Sequence, residues 1–209
     1  MDSDATETIR VRYDRISRFY DLMEAVVERA ALWRWRRRAF DAIDGNRVLE
    51  VGVGTGKNLG FYPTGKSITA VDFSPGMLKR ARRKADKILC KVDLRDMDVE
   101  NLSFGDRFFD TVVATFVFCS VAHPVRGLSE VGRVCKQRGR IILLEHVRPG
   151  NKILARFFDM LNPVTLRLVG VNINRNTTAN VERAGLEILR EENLFSDIVK
   201  LIVARPRSG

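Results

Sequence analysis

From about Arg47 onward the chain alternates short β-branched runs with stretches of helical periodicity, and this alternation limits the folds open to it. The runs are 47–51, 67–71, 89–94, 111–118, 140–145, 186–191 and 198–204. Several are apolar on both faces, as strands buried between two helix layers must be. Alternating βα units of this kind predict an α/β fold with a doubly wound, mostly parallel seven-stranded sheet. The last two runs are joined by only a few residues, Glu192-Asn193-Leu194-Phe195-Ser196 among them, too few for a crossover helix, so they should close the sheet as an antiparallel hairpin. With 209 residues, no internal repeat and no linker, the chain reads as one domain, residues 1–209.

Two segments lie outside the βα rhythm. Residues 12–43 carry Ile16, Phe19, Tyr20, Met23, Val27 and Ala30 at helical spacing on one face and end in Trp33-Arg34-Trp35-Arg36-Arg37-Arg38. Residues 151–171 carry Ile153, Leu154, Phe157, Phe158 and Leu161 before Pro163. The first is expected to be a lid that also contacts membrane, and the second a helical substrate insertion.

The loop after the first run reads Glu50-Val51-Gly52-Val53-Gly54-Thr55-Gly56-Lys57-Asn58. Glycines after a buried strand permit a sharp turn and let a ligand press against bare backbone. The P-loop needs four residues between its first glycine and Gly-Lys, then Ser or Thr. Here only three residues separate Gly52 from Gly56, and Asn58 follows Lys57. A dinucleotide loop is also disfavoured, because Glu50 would repel a pyrophosphate but not the cationic methionine part of S-adenosylmethionine. Asp72 ends the second strand, twenty residues beyond Gly52, placed to grip two ribose hydroxyls. Ser74 is positioned to cap the next helix, with Phe73 beside it and Met77 on the first turn to pack on adenine. Asp98 and the amide of Val99, after the third strand, can address the adenine edge, and Phe116 lies near the end of the fourth run.

The segments VLEVGVGTGKN, AVDFSPGML, MDVENLSFGDRFFDTVVATFVFCSV and EVGRVCKQRGRIILLEH resemble the class I S-adenosylmethionine-dependent methyltransferases over roughly Arg10 to Pro206. FVFCSV, LLEHVRP and NINRNTTANVERAGL are similar to the bacterial phospholipid N-methyltransferases and their lipid-associated, thiol-methylating relatives, with quinone C-methyltransferases as near neighbours. Lys136-Gln137-Arg138-Gly139 departs from the family's usual Lys/Arg-Pro-Gly-Gly turn. The resemblance implies S-adenosylmethionine as cofactor and phosphatidylethanolamine as acceptor.

In such a sheet the ligand lies beyond the carboxyl ends of the strands. His146 is the imidazole placed to take a proton from an amine acceptor or to orient its headgroup. Tyr13 and Tyr20 are candidates to close over a methylammonium, although Tyr20 also lies on the apolar stripe and is open to core packing. Arg148 and Arg175 are candidates for a phosphate diester. Lys and Arg number 36 against 26 Asp and Glu, a net charge of +10 that suits an anionic membrane face. No RRM, KH or zinc-finger signature accompanies it, so a nucleic-acid partner is not expected, and the two histidines and scattered Cys90, Cys119 and Cys135 predict no metal site. The cysteines are expected to be reduced thiols in a cytoplasmic protein held peripherally on the inner membrane face.

Overall fold

In the computed structural model of the chain, residues 32–88, 91–150, 156, 160 and 175–207 are described. Seven strands follow the predicted rhythm: β1 (Arg47–Val51), β2 (Ser67–Asp72), β3 (Val92–Asp96), β4 (Phe109–Thr115), β5 (Cys135–His146), β6 (Leu186–Phe195) and β7 (Val199–Pro206). The helices whose full span is described are α1 (Trp33–Asp41), α2 (Pro75–Ala85), α3 (Pro124–Val134) and α4 (Thr177–Arg183), with a short 3₁₀ helix at Leu59–Phe61. The sheet runs β3-β2-β1-β4-β5-β7-β6. Pairing from β3 through β5 is parallel, and β7 joins both β5 and β6 antiparallel. This is the doubly wound methyltransferase topology with its C-terminal hairpin.

Alternation along each central strand divides the core between the two faces of the sheet. Val112, Ala114, Ile141 and Leu143 pack with Leu128 and Val131 of α3 and Val181 of α4. Their neighbours Val113, Ile142 and Leu144 point the other way, into a cluster with Ala39 and Phe40 of α1. Strands covered on both sides need continuous apolar runs, which is why β1, β4 and β5 carry them.

Several boundaries differ from those expected. β4 begins at Phe109 and stops at Thr115, because Phe116 adopts φ +58° and cannot continue an extended ladder. β5 starts at Cys135, five residues early, directly from the end of α3. Its register jumps from Phe109↔Cys135 to Thr111↔Arg140, so Lys136–Gly139 form an irregular excursion. A Cβ at Gly139 would come within 2.6 Å of the Asp110 carbonyl oxygen, so the glycine of this departure from the family turn is sterically required. β3 begins at Val92 rather than Leu89, and residues 89 and 90 lie outside the described residues.

The strand order reverses between β1 and β4. Connections leave β1 toward β2 on one side and reach β4 on the other, and a crevice opens above their carboxyl ends.

Candidate functional site

That crevice is a cleft lined by residues that follow β1, β2, β3 and β4. The glycine loop forms its floor. The amides of Gly52 and Val53 both donate to the Val71 carbonyl, at 2.8 and 3.0 Å, tying the loop to the end of β2. Gly52 has φ +70°, and a Cβ there would meet Val117 at 2.5 Å. Gly54 has φ +55° with nothing within 4 Å of a would-be Cβ, so bare backbone faces open cleft. Gly56 is not part of the lining and instead packs against Leu59 and Ala81.

Asp72 is buried at the end of β2. One carboxylate oxygen accepts the Gly54 amide at 2.8 Å and the other the Ser74 amide at 2.9 Å. Asp72 lines the cleft, where a carboxylate oxygen is the kind of acceptor that ribose hydroxyls require. Ser74 caps α2 by accepting from the Met77 amide at 3.2 Å, with Pro75 in the first turn. Phe73 and Met77 line the cleft, as do Asp98 and Val99. The Asp98 carboxylate accepts the Glu100 amide at 2.9 Å, and Glu100, also lining, accepts the His123 amide at 2.8 Å.

Glu50 lies behind the lining rather than in it. It is fully buried, accepting from Asn58 Nδ2 at 2.5 Å and from the Tyr62 hydroxyl. Burial pushes its carboxyl above the usual carboxylate range, against the lowering effect of these bonds. Asn58 also donates to Thr115 Oγ1 at 2.8 Å and accepts from Arg36 at 3.0 Å. Arg36 completes the network with a 2.8 Å bond to Thr115, and its guanidinium lies 5.2 Å from the Phe116 ring centroid.

The sequence groups Arg36 with Arg34, Arg37 and Arg38 as basic groups for an interface. The structure corrects this: Arg36 is 6% exposed and lines the cleft. The reason is helical phase, since Leu32, Arg36, Ala39 and Phe40 are all buried and fall at i, i+4, i+7, i+8. That spacing was the signal available for it. Arg34, Arg37 and Arg38 are exposed, and Trp33 is half exposed with its ring edge-on to Phe61. Trp35 meets Phe195 of the terminal hairpin.

Beyond β4, Phe116, Val117, Ser120 and Val121 form the opposite wall. Glu145, fully buried at the end of β5, holds this loop: one oxygen accepts the amides of Val117 and Phe118 at 2.9 and 3.0 Å. Its other oxygen has no partner. Burial pushes the carboxyl up to about 7, opposed by those amides and by Arg175. His146 packs its ring 4.7 Å from Phe116, so it backs the wall rather than lining it. Arg175 donates to the Val121 carbonyl at 2.8 Å, behind the same wall, whereas the Arg148 side chain is exposed. Cys119 and Cys135 are free and buried, and Cys90 lies outside the described residues, as do Tyr13 and Tyr20.

A methyltransferase domain family matches residues 49–143. A demethylmenaquinone methyltransferase of Clavibacter sepedonicus is 32% identical across 92% of this chain and 88% of that protein. This chain belongs to the class I S-adenosylmethionine-dependent methyltransferases. A phosphatidylethanolamine N-methyltransferase of Cereibacter sphaeroides is 42% identical over 126 residues, 56% of this chain, which spans 62% of that relative's length. An S-adenosylmethionine-dependent methyltransferase of Thermotoga maritima superposes with a TM-score of 0.71 at 19% identity, over 94% of this chain and 99% of that one, a likeness of fold. The cleft fits the cofactor on its own geometry. An open glycine cradle, the Asp72 carboxylate at the cleft and apolar Phe73 and Met77 suit a ribose and an adenine. No helix among the described residues is long and apolar enough to cross a membrane.

Proposed function

We propose that this methyltransferase acts on phosphatidylethanolamine, methylating its amino group stepwise toward phosphatidylcholine on the cytoplasmic face of an anionic bilayer. The observation that carries this reading is the 42% identity to the Cereibacter enzyme. The apolar acceptor wall of Phe116, Val117 and Val121 supports it, since a methylated ammonium donates too few hydrogen bonds for a polar pocket and is accommodated by aromatic faces. The cofactor supplies an electrophilic methyl on its sulfonium. The chain's part is to hold the acceptor in line with that methyl and to relieve an amine, protonated near neutral pH, of its proton. Our candidate to take it is His146, from its position against Phe116 beside the cleft lining. Exposed Trp33 with Arg34, Arg37 and Arg38 suits a headgroup layer, each basic residue contributing about 1 kcal/mol near an anionic surface.

A second reading, C-methylation of a quinone precursor, is supported by the Clavibacter relative, which aligns over most of both chains. A labelled-methyl assay offering phosphatidylethanolamine vesicles and a demethylquinone side by side separates the two. Labelled phosphatidylcholine precursors are expected. Label in the quinone alone would overturn the headgroup reading in favour of the second. Flotation with anionic vesicles at low salt tests the bilayer partner, and failure to float counts against it.

A further inference from the structure

The two faces of the sheet carry unequal charge. On β2, Ile68 and Ala70 point to the same side. Ile68 packs in one cluster with Ala39 and Phe40 of α1, and Ala70 packs with Leu78 and Ala81 of α2. Both helices therefore cover one face, while α3 and α4 cover the other through Leu128, Val131 and Val181. Helix α2 has five basic residues among its eleven and no acid. Helix α1 adds Arg34, Arg37 and Arg38 on its exposed side, against Asp41. On the opposite face Arg133 of α3 is tied up by Glu130 and Asp106, and Arg183 of α4 is preceded by Glu182. Among the described helices, the positive charge gathers on the α1–α2 face.

We propose that α2 is a second contact with an anionic bilayer, and that together with the exposed side of α1 it forms one basic face that recognises lipid phosphates. This extends the bilayer partner of the function proposed above and rests on it.

Helical phase separates the two sides of α2. Leu78, Ala81 and Ala85, at i, i+3 and i+7, pack inward, and Lys79, Arg82 and Arg83 stand exposed. These three cations form no ion pair among the described residues, and the acid beside them in sequence is Asp86 at the helix C-cap. Attraction to the helix dipole accounts for Arg82 and Arg83 in the last turn, but not for Lys79. The charges are spread along a helix surface and do not converge on one point. Such a face suits a plane of phosphates better than a single small anion. A bilayer is favoured over a nucleic acid by Trp33, which is half exposed with the Arg37 guanidinium 5.6 Å from its ring, a pairing suited to headgroup depth. The face also adjoins the cleft, since Met77 on the first turn of α2 and Arg36 of α1 both line it. A bilayer held here lies beside the cleft rather than across the sheet from it.

Partition of the full chain onto vesicles tests the face, with phosphatidylcholine vesicles containing phosphatidylglycerol as the anionic probe and pure phosphatidylcholine as the neutral one. The unsubstituted chain should bind the anionic vesicles more tightly. Lys79→Gln with Arg83→Gln should weaken that binding roughly twentyfold, each basic residue near such a surface being worth about a factor of five. Arg107→Gln with Arg183→Gln removes the same charge at exposed positions, one bonded through its amide to α3 and the other on α4. Lying off the basic face, this second double variant should lose less than about threefold. Lys79→Arg with Arg83→Lys keeps both charges and should bind as the unsubstituted chain does. The S-adenosylhomocysteine dissociation constant should stay within about twofold throughout, since the substituted positions are exposed and distant from the cofactor. Equal losses in the two charge-removing variants would trace binding to net charge alone and overturn the proposal. Binding of single-stranded RNA without binding of anionic vesicles at the same salt would overturn it too. The acceptor is judged separately, by transfer of a labelled methyl: no label in phosphatidylethanolamine, in detergent or in vesicles, would overturn that acceptor, whereas partition needs no turnover and decides the face by itself.

Discussion

Asp72 accepts the amide of Gly54 at 2.8 Å, joining the end of β2 to the middle of the glycine loop that follows β1. The acid therefore shapes the cradle as well as lining the cleft. Asp72→Ala removes both contributions and should raise the S-adenosylhomocysteine dissociation constant at least tenfold, a hydrogen bond to a charged group being worth about 1.5–3 kcal/mol. Asp72→Asn keeps an oxygen for one of the two amides and should lie between. Titration of both variants by calorimetry checks the order, and an unchanged constant in Asp72→Ala would remove the residue from the site.

Gly52 and Gly54 both have positive φ, but they should not respond alike to alanine. At Gly52 the new Cβ meets Val117 at 2.5 Å, on the wall held by Glu145, whereas at Gly54 it meets nothing. Gly54→Ala should cost only the left-handed strain, about 1–2 kcal/mol. Gly52→Ala adds an overpacking cost of roughly 1–3 kcal/mol and displaces the wall. Urea denaturation of the pair should show the larger loss of stability at Gly52.

The sheet was legible in the sequence because buried parallel strands need runs that few other structures need, and its antiparallel closure followed from a connection of only a few residues. Strand ends were read less well where backbone geometry, not hydrophobicity, sets them. Phe116 belongs to an apolar run, yet its φ of +58° ends β4, and the excursion before Arg140 hides the start of β5. The glycine loop, Asp72 and Asp98 could be placed because they are tied to strand ends by short fixed intervals. Arg36 was not, since an arginine among arginines reads as surface until the helical phase of Leu32, Ala39 and Phe40 is imposed on it. Glu50 has the opposite history: its position in the motif suggested contact with the donor, while its side chain turns back toward Asn58 and Tyr62.

Glu145 should give stability a particular dependence on pH. Its carboxyl is raised from 4.5 to about 7, mainly by burial, so the folded chain holds this proton more tightly than the unfolded chain does. Its contribution is therefore fully present below about pH 4.5 and is lost as pH rises through about 7. The shift corresponds to roughly 3 kcal/mol. Glu145→Gln keeps an acceptor for the amides of Val117 and Phe118 and abolishes the titration. Subtracting the urea midpoints of the two proteins between pH 4.5 and 8 cancels other groups. The variant should gain on the parent as pH rises, and a flat difference would show that Glu145 titrates elsewhere.

His146 separates binding from turnover. Its ring lies against Phe116, and it is not part of the cleft lining that surrounds the donor. His146→Ala should therefore leave the S-adenosylhomocysteine dissociation constant within about twofold while lowering turnover by 10²–10⁴, the range for loss of a proton-transfer group. His146→Gln keeps a polar group of similar reach and restores orientation but not proton acceptance, so turnover should stay low with it. Raising the pH deprotonates more of an amine acceptor in solution, and the defect of both variants should shrink accordingly. A defect that instead tracks a weakened donor constant would mean that His146 only supports the Phe116 wall.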